Sequence, residues 1–149
     1  MLSPIEHAKQ LLMDNPFTCV ISNGETAYTS TQRGIAPLMG WCEDGQDLHN
    51  FSAADKVVGK AAAYLYVLLG VTEVFAQVIS RPALEVLHRY EIIVTYDEQV
   101  PAIRNRTNSG FCPMESAVME LSDAGDAYMV LKNKLNTMQE VSGQNKLCD

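Results

Sequence analysis

The sequence has no closely spaced pair of cysteines. Its four cysteines, Cys19, Cys42, Cys112 and Cys148, are scattered, and no two of them form a CxxC motif. This spacing indicates neither the disulfide framework of a small secreted domain nor the ligand pattern of a zinc ribbon. We therefore expect free thiols, most of them buried and unreactive.

Positive charge is also scarce. The chain has 11 Lys and Arg residues against 18 Asp and Glu residues, which gives a formal net charge of −7. Nucleic acids and anionic membranes attract positive charge, so we expect this chain to bind neither of them as a partner. A local basic patch inside a binding site is still compatible with this balance.

Long apolar runs are missing too. The longest apolar-looking stretch, residues 57–71, is interrupted by Gly59 and Lys60 and is too short to span a bilayer. The first ten residues, MLSPIEHAKQ, have neither the basic region nor the apolar stretch of a signal peptide. We therefore expect a cytoplasmic protein.

The composition is that of one soluble globular domain. The chain has 149 residues, of which 47% are hydrophobic and 19% are charged. A chain of this length and balance buries enough apolar surface to form a core without covalent cross-links. We expect a single domain over residues 1–141 and a C-terminal tail over residues 142–149.

Capping and turn residues predict the structure of residues 3–30. Ser3-Pro4 is a typical helix start, and Asn15-Pro16 ends that helix. Two β-prone segments, residues 17–21 and 25–30, flank the dipeptide Asn23-Gly24, which is a strong hairpin signal. An antiparallel pair of strands is therefore expected after the first helix.

The middle of the chain is predicted to be mainly helical. Residues 34–41 favour a short helix or turn, and a polar loop follows them. Ser52 then has the features of an N-cap, with Asp55 in the first turn, and the helix is predicted to reach Leu69, with Gly70 just past its end. We expect this helix to pack against the sheet.

The remaining segments alternate between strand and helix patterns. Residues 72–79 and 91–96 are predicted strands around a helix over residues 80–89, which is a parallel βαβ unit. Two further helices are predicted, from Pro113 to about residue 121 and over residues 123–141. The predicted fold class is an α/β sandwich with a mixed sheet.

The starts of the predicted helices are candidate anion sites, because helix N-termini carry positive potential. Cationic and polar side chains there would neutralise or hydrogen-bond a phosphate or carboxylate. For the two lysines on the Ser52 helix, the alternative is simple solvation of one helix face. The candidate ligand-binding residues are Arg33, Lys56, Lys60, Ser80, Arg81 and Asn105.

Cys112 is the candidate nucleophile. It precedes Pro113, a favoured first helical residue, and the helix dipole at such a position lowers the pKa of a thiol. Glu115 would accept a proton, or would instead act with Cys112 only as a helix cap. Asp55 would orient a substrate or shuttle a proton. No arrangement of these residues gives a convincing metal site, so we expect no bound metal.

Several strings in the sequence resemble those of an uncharacterised microbial family, a domain of unknown function with a cytidine-deaminase-like fold. The most specific strings are residues 55–63, DKVVGKAAA, and residues 112–115, CPME. The resemblance extends over residues 5–119 and also includes residues 33–37, 78–80, 100–101 and 105–106. It implies a three-layer α/β/α sandwich whose sheet opens with an antiparallel hairpin.

The zinc ligands of deaminases are missing from the expected places. Zinc deaminases have an H-x-E motif at the start of the second helix and a P-C-x-x-C motif at the start of the third. We expect Ala54-Asp55-Lys56 and Ser80-Arg81-Pro82 to occupy these two places. Without a metal to activate water, cytidine deamination is not expected, and no cofactor is predicted.

Two hypotheses for function remain. The first is a metal-independent enzyme that acts on a nucleotide-like or phosphorylated small molecule with Cys112 as the reactive thiol. The second is a non-catalytic module that binds a nucleotide or metabolite in the same pocket. Both predict an anionic small-molecule ligand and a shared cleft for Lys56, Arg81 and Cys112, and a homo-oligomer is compatible with either.

Overall fold

The computed structural model of the chain describes residues 2–32, 34–103 and 113–142, and for residues 138–142 it describes the backbone alone. Within these ranges no helix combines the length and the apolar character needed to cross a membrane. Six helices and five strands are described. In chain order they are α1 (Pro4–Asp14), β1 (Cys19–Ser22), β2 (Ala27–Ser30), α2 (Ala36–Glu43), β3 (Ser52–Val58), α3 (Lys60–Leu69), β4 (Glu73–Ser80), α4 (Arg81–Arg89), β5 (Ile93–Val100), α5 (Pro113–Val118) and α6 (Ala124–Ser142).

The five strands form one mixed sheet in the order β2-β1-β3-β4-β5. β1 pairs antiparallel with both β2 and β3, whereas β3, β4 and β5 run parallel to one another. The β1–β2 hairpin is as predicted. Its turn is held by Asn23, whose side-chain oxygen accepts hydrogen bonds from the backbone N–H groups of Glu25 and Thr26, and Gly24 supplies the positive φ of 100°.

Helices cover both faces of the sheet. On one face, α1 buries Ala8 and Leu12 against Val20, Ala54 and Phe75 of three neighbouring strands. On the other face, α3 packs against the sheet, and α2, α4, α5 and α6 all contact α3. This arrangement confirms an α/β sandwich with a mixed sheet, and it makes α3 the central helix of its layer.

The predicted helix start at Ser52 is wrong. Ser52–Val58 forms β3, which is hydrogen-bonded to β1 on one side and to β4 on the other. Ser52 and Asp55 have the types and spacing of helix-capping residues, but pairing on both edges of the strand satisfies its backbone groups instead. The helix begins at Lys60, directly after Gly59. Asp55 and Lys56 therefore belong to a strand.

The last strand lies further along the chain than predicted. β5 spans Ile93–Val100 rather than residues 91–96, and its register pairs Glu73 with Ile93 and Ser80 with Val100. Glu91 has a φ of 62°, in the left-handed region, and so belongs to the turn after α4. β5 thus pairs with β4 from one end of that strand to the other.

Candidate functional site

A cavity of about 390 Å³ opens at the carboxyl end of β3. Since β1 is antiparallel to β3, the start of β1 lies at this same end of the sheet, as does the chain that leaves β2. Backbone hydrogen bonds join these segments: Lys56 N–H donates to the Thr18 carbonyl, and Thr18 N–H donates to the Ser30 carbonyl. The described lining comprises Thr18, Thr31, Gln32, Gly34, Asp55, Lys56 and Val57.

Asp55 is the buried acid of this cavity, with 9% of its surface exposed. Its Oδ2 accepts a hydrogen bond of 2.6 Å from the Tyr66 hydroxyl, and its Oδ1 accepts one of 3.3 Å from the Val57 N–H. Burial raises the pKa of Asp55 from 3.8 to about 7, against the lowering effect of these hydrogen bonds. The carboxyl group is therefore able to gain or lose a proton near neutral pH.

Two residues that the sequence analysis did not select support Asp55 from the interior. Tyr66 on α3 is fully buried, and its hydroxyl lies 3.2 Å from the sulfur of Cys19 on β1. Burial raises the pKa of both groups well above their ordinary values, so both are neutral. No motif spacing marks this pair, because Cys19 and Tyr66 are 47 residues apart. The one available signal is a tyrosine hydroxyl in an otherwise apolar helix segment, which needs a buried partner.

The other lining groups are polar or cationic. The single hydroxyl hydrogen of Thr18 is within reach of the Gln32 carbonyl, at 2.5 Å, and the Ser30 carbonyl, at 3.1 Å, so that the Thr18 oxygen is left to accept a hydrogen bond from a ligand. Lys56 is exposed and is one of the lining residues. The lining residues thus include hydrogen-bond acceptors, Asp55 and Thr18, and one residue with a cationic side chain.

Glu115 is not among the described lining residues, and it contacts the start of α3, which follows β3 directly. Its two carboxylate oxygens accept hydrogen bonds from the backbone N–H groups of Lys60, at 2.6 Å, and Ala61, at 2.7 Å. A carboxylate at a helix N-terminus is favoured by the helix dipole, although burial raises its pKa. Both oxygens are engaged with α3. Glu115 therefore caps a helix that is distant in sequence, rather than its own.

Gly59 is required by this contact. A Cβ atom at position 59 would collide with the carboxylate of Glu115, so that any larger residue there would have to displace this group. Lys60 is also engaged with the same region, since its ammonium donates to the Met119 carbonyl at 2.6 Å and burial lowers its pKa. Lys60 and Glu115 together hold α5 against α3, and neither is among the described lining residues of the cavity.

Ser80 and Arg81 are located at the start of α4. Ser80 is fully buried, and its hydroxyl caps the helix by accepting a hydrogen bond of 3.2 Å from the Ala83 N–H. Arg81 has an exposed side chain whose Nε lies 3.5 Å from a Glu85 carboxylate oxygen. The described lining of the cavity includes Lys56 and does not include Arg81.

Three candidate residues, Arg33, Asn105 and Cys112, lie outside the described residues. The predicted cleft shared by Lys56, Arg81 and Cys112 is therefore described only in part. Of the candidates, the structure brings together Asp55 and Lys56. It places Lys60 with Glu115, and Ser80 with Arg81, at two separate helix starts.

Contrary to the expectation from the sequence, residues 54–56 and 80–82 do not start the second and third helices. The second helix begins at Ala36 and the third at Lys60. Residues 34–36 and 59–61, at these two starts, include no His, Cys, Asp or Glu, so their side chains do not fit zinc. Across the described part of the chain, no three His, Cys, Asp or Glu side chains are grouped as metal ligands.

Comparisons with known proteins give one consistent family. A family model described as TM1506, a domain of unknown function (DUF1893), matches residues 7–135. The crystal structure of a DUF1893 family protein (TM1506) from Thermotoga maritima is 26% identical to the chain, with a TM-score of 0.81. The match covers 87% of this chain and 88% of that chain. No curated protein matches. These findings confirm the resemblance to an uncharacterised family.

Proposed function

The chain belongs to the DUF1893 family, and we propose that its cavity beside Asp55 binds a nucleotide-like or phosphorylated small molecule. One observation carries this proposal: Asp55, whose carboxyl group is buried, and Lys56, which is exposed, are both lining residues of the cavity at the carboxyl end of β3. In open α/β sheets, ligands commonly bind outside the carboxyl ends of the parallel strands.

The size and chemistry of the cavity support a ligand with two unlike ends. Its volume of about 390 Å³ suits a small metabolite. Lys56 would hold a phosphate or carboxylate, while Asp55 and Thr18 would accept hydrogen bonds from the N–H or O–H groups of a base or sugar. Arg33 and Asn105 remain proposed anion ligands, and Gln32 and Gly34, on either side of Arg33 in the sequence, both line the cavity.

Metal-independent catalysis on the same ligand is the second candidate. It is favoured by Asp55, whose pKa of about 7 suits a residue that exchanges a proton with a bound substrate at neutral pH. Cys112 would then be the nucleophile or the proton relay. The binding function needs the cavity alone, whereas the enzymatic function also needs an activated Cys112 thiol near it.

We also propose that the fold is cytidine-deaminase-like. The order of the sheet, an antiparallel hairpin followed by three parallel strands with helices on both faces, supports this relationship. The side chains at the starts of α2 and α3 do not fit zinc. We therefore derive no hydrolytic deamination for this chain.

The binding proposal is tested by thermal unfolding of the full chain with added inorganic phosphate and with each common ribonucleoside monophosphate. We expect at least one probe to raise the unfolding midpoint. Lys56→Ala should weaken the affinity for that probe by about ten- to a hundredfold, because a charge-assisted hydrogen bond is lost. Lys132→Ala, an exposed lysine on α6, is the control and should bind normally. No response to any probe, or an equal response in Lys56→Ala, would refute the proposal.

A further inference from the structure

We propose that Cys19, Tyr66 and Asp55 form a hydrogen-bond chain whose direction reverses when Asp55 takes up a proton. The reversal would leave Asp55 Oδ1 able to accept a hydrogen bond from a ligand in both protonation states. The chain makes Cys19 and Tyr66 positioning residues for Asp55. Its use in binding or catalysis rests on the function proposed above, although its existence does not.

The three side chains are brought together by the pairing of β1 with β3. Cys19 and Asp55 lie directly opposite each other in this antiparallel pair. Tyr66, from α3, lies between them: its hydroxyl oxygen is 2.6 Å from Asp55 Oδ2 and 3.2 Å from Cys19 Sγ. Tyr66 and Cys19 are buried, so water does not compete for the hydrogen bonds at the Tyr66 hydroxyl.

Counting donors gives the direction of the chain. An ionised carboxylate only accepts hydrogen bonds, so the single Tyr66 hydroxyl hydrogen must point to Asp55 Oδ2. The Tyr66 oxygen is then an acceptor for the Cys19 S–H. The ionised state of Asp55 therefore has the order thiol to phenol to carboxylate, with every partner satisfied.

Protonation of Asp55 reverses this order. One proton binds to Oδ2 and is donated to the Tyr66 oxygen, the phenol hydrogen rotates toward Cys19 Sγ, and the S–H turns away from Tyr66. No covalent bond other than the new O–H is made or broken. The thiol and the phenol stay neutral in both states, and only the charge of Asp55 changes. Lys56 follows Asp55 on β3, but successive side chains of a strand point to opposite faces of the sheet.

The Cys19 S–H bond is a direct reporter of this reversal, because the infrared stretching frequency of a thiol falls when its hydrogen is donated. The experiment records spectra of the full chain at about pH 5 and about pH 9, on either side of the Asp55 titration. Subtracting the spectrum of Cys19→Ala isolates the Cys19 band. The carboxyl C=O band, compared with that of Asp55→Asn, follows Asp55 itself.

We expect the Cys19 band to lie at lower frequency at the higher pH and to shift with the same midpoint as the Asp55 carboxyl band. In Asp55→Asn the band should no longer move with pH. In Tyr66→Phe it should stay at the frequency of a free thiol, and if this variant does not fold, Asp55→Asn and the wild-type chain still decide the question. A Cys19 band that does not shift, or an Asp55 that does not titrate between these pH values, would overturn the proposal.

This experiment contains no added ligand, so its outcome is separate from that of the binding test. A shifting band without probe binding would retain the hydrogen-bond chain and remove the proposed function. Probe binding without a shifting band would do the reverse.

Discussion

Asp55 shows how the environment of one residue depends on contacts that are distant in sequence. Its hydrogen-bonding side-chain partner, Tyr66, is 11 residues away, and Cys19 lies directly opposite it on the neighbouring strand β1. The sequence predicts that Asp55 orients a substrate or shuttles a proton, and it also predicts that Asp55 lies in the first turn of a helix. Asp55 lies in β3 instead, and burial there raises its pKa to about 7.

The raised pKa of Asp55 predicts how stability changes with pH. The folded state holds this proton up to a pKa of about 7, whereas the unfolded chain releases it near 3.8. Between these values the unfolded state binds fewer protons, so the free energy of unfolding falls as pH rises, by up to about 1.4 kcal/mol per pH unit. Urea unfolding at a series of pH values should show this slope in the wild type.

Asp55→Asn is the matched comparison, since it keeps the shape of the side chain and removes its titration. The difference in unfolding free energy between wild type and variant should change steadily across this pH range. Glu115 also has a raised pKa, so its titration lowers the free energy of unfolding as pH rises. Because Glu115 is present in both proteins, its contribution cancels in the difference. A difference that stays constant with pH would show that Asp55 is ionised throughout.

The cysteines give a second prediction at the residue scale. Cys19 is buried and has a raised pKa, and burial together with Glu43 raises the pKa of Cys42 to about 11. Neither is an effective nucleophile at neutral pH, because the thiolate is the reactive form. Rapid alkylation of the native chain must therefore occur at Cys112 or Cys148.

Labelling by iodoacetamide would be monitored by mass spectrometry. We expect Cys112→Ser to abolish the rapid labelling and Cys148→Ser to preserve it. This result would support the enzymatic hypothesis, in which the Cys112 thiol is activated. Labelling of Cys112 as slow as that of Cys19 would favour the binding module instead.

At the scale of elements, local signals predict those parts of the fold that are stabilised locally. Ser3 caps α1, and its hydroxyl accepts a hydrogen bond from the Glu6 N–H as expected from the sequence. The hairpin turn at Asn23 and the Ser80 cap of α4 are likewise close in sequence. β3 was mistaken for a helix, because the pairing that makes it a strand comes from β1 and β4, which no local window includes.

The joint between β3 and α3 gives a prediction at this scale. Gly59→Ala would place a methyl group against the Glu115 carboxylate and displace it from the N-terminus of α3. We expect the free energy of unfolding, measured in urea, to fall by about 1–3 kcal/mol, from overpacking and weakened hydrogen bonds.

Gly40→Ala is the control for this substitution. Position 40 lies on α2, and the space that an added methyl group would occupy there is open, so replacing glycine by alanine should be neutral or stabilising by about 0.5–1 kcal/mol. An equal effect of the two substitutions would mean that the close approach of Glu115 to Gly59 does not occur.

At the scale of the whole molecule, the sheet order explains which parts of the candidate site could be predicted. Asp55 and Lys56 are adjacent in sequence and were selected together. Thr18 and Gln32 were not, because they reach the cavity only through the antiparallel pairing of β1 with β2 and β3. Glu115 was recognised as a capping residue by its type, but the helix that it caps is 54 residues away at Ala61.

The binding of a small anionic molecule beside Asp55 can be observed residue by residue through amide chemical shifts. The ¹⁵N-labelled full chain would be titrated with the ribonucleoside monophosphate that most raises the unfolding midpoint, or with inorganic phosphate. We expect the largest shifts at residues that line the cavity: Thr18, Thr31, Gln32, Asp55, Lys56 and Val57. Shifts confined to the start of α4, at Ser80 and Arg81, or to the Glu115 contact with α3, would contradict it.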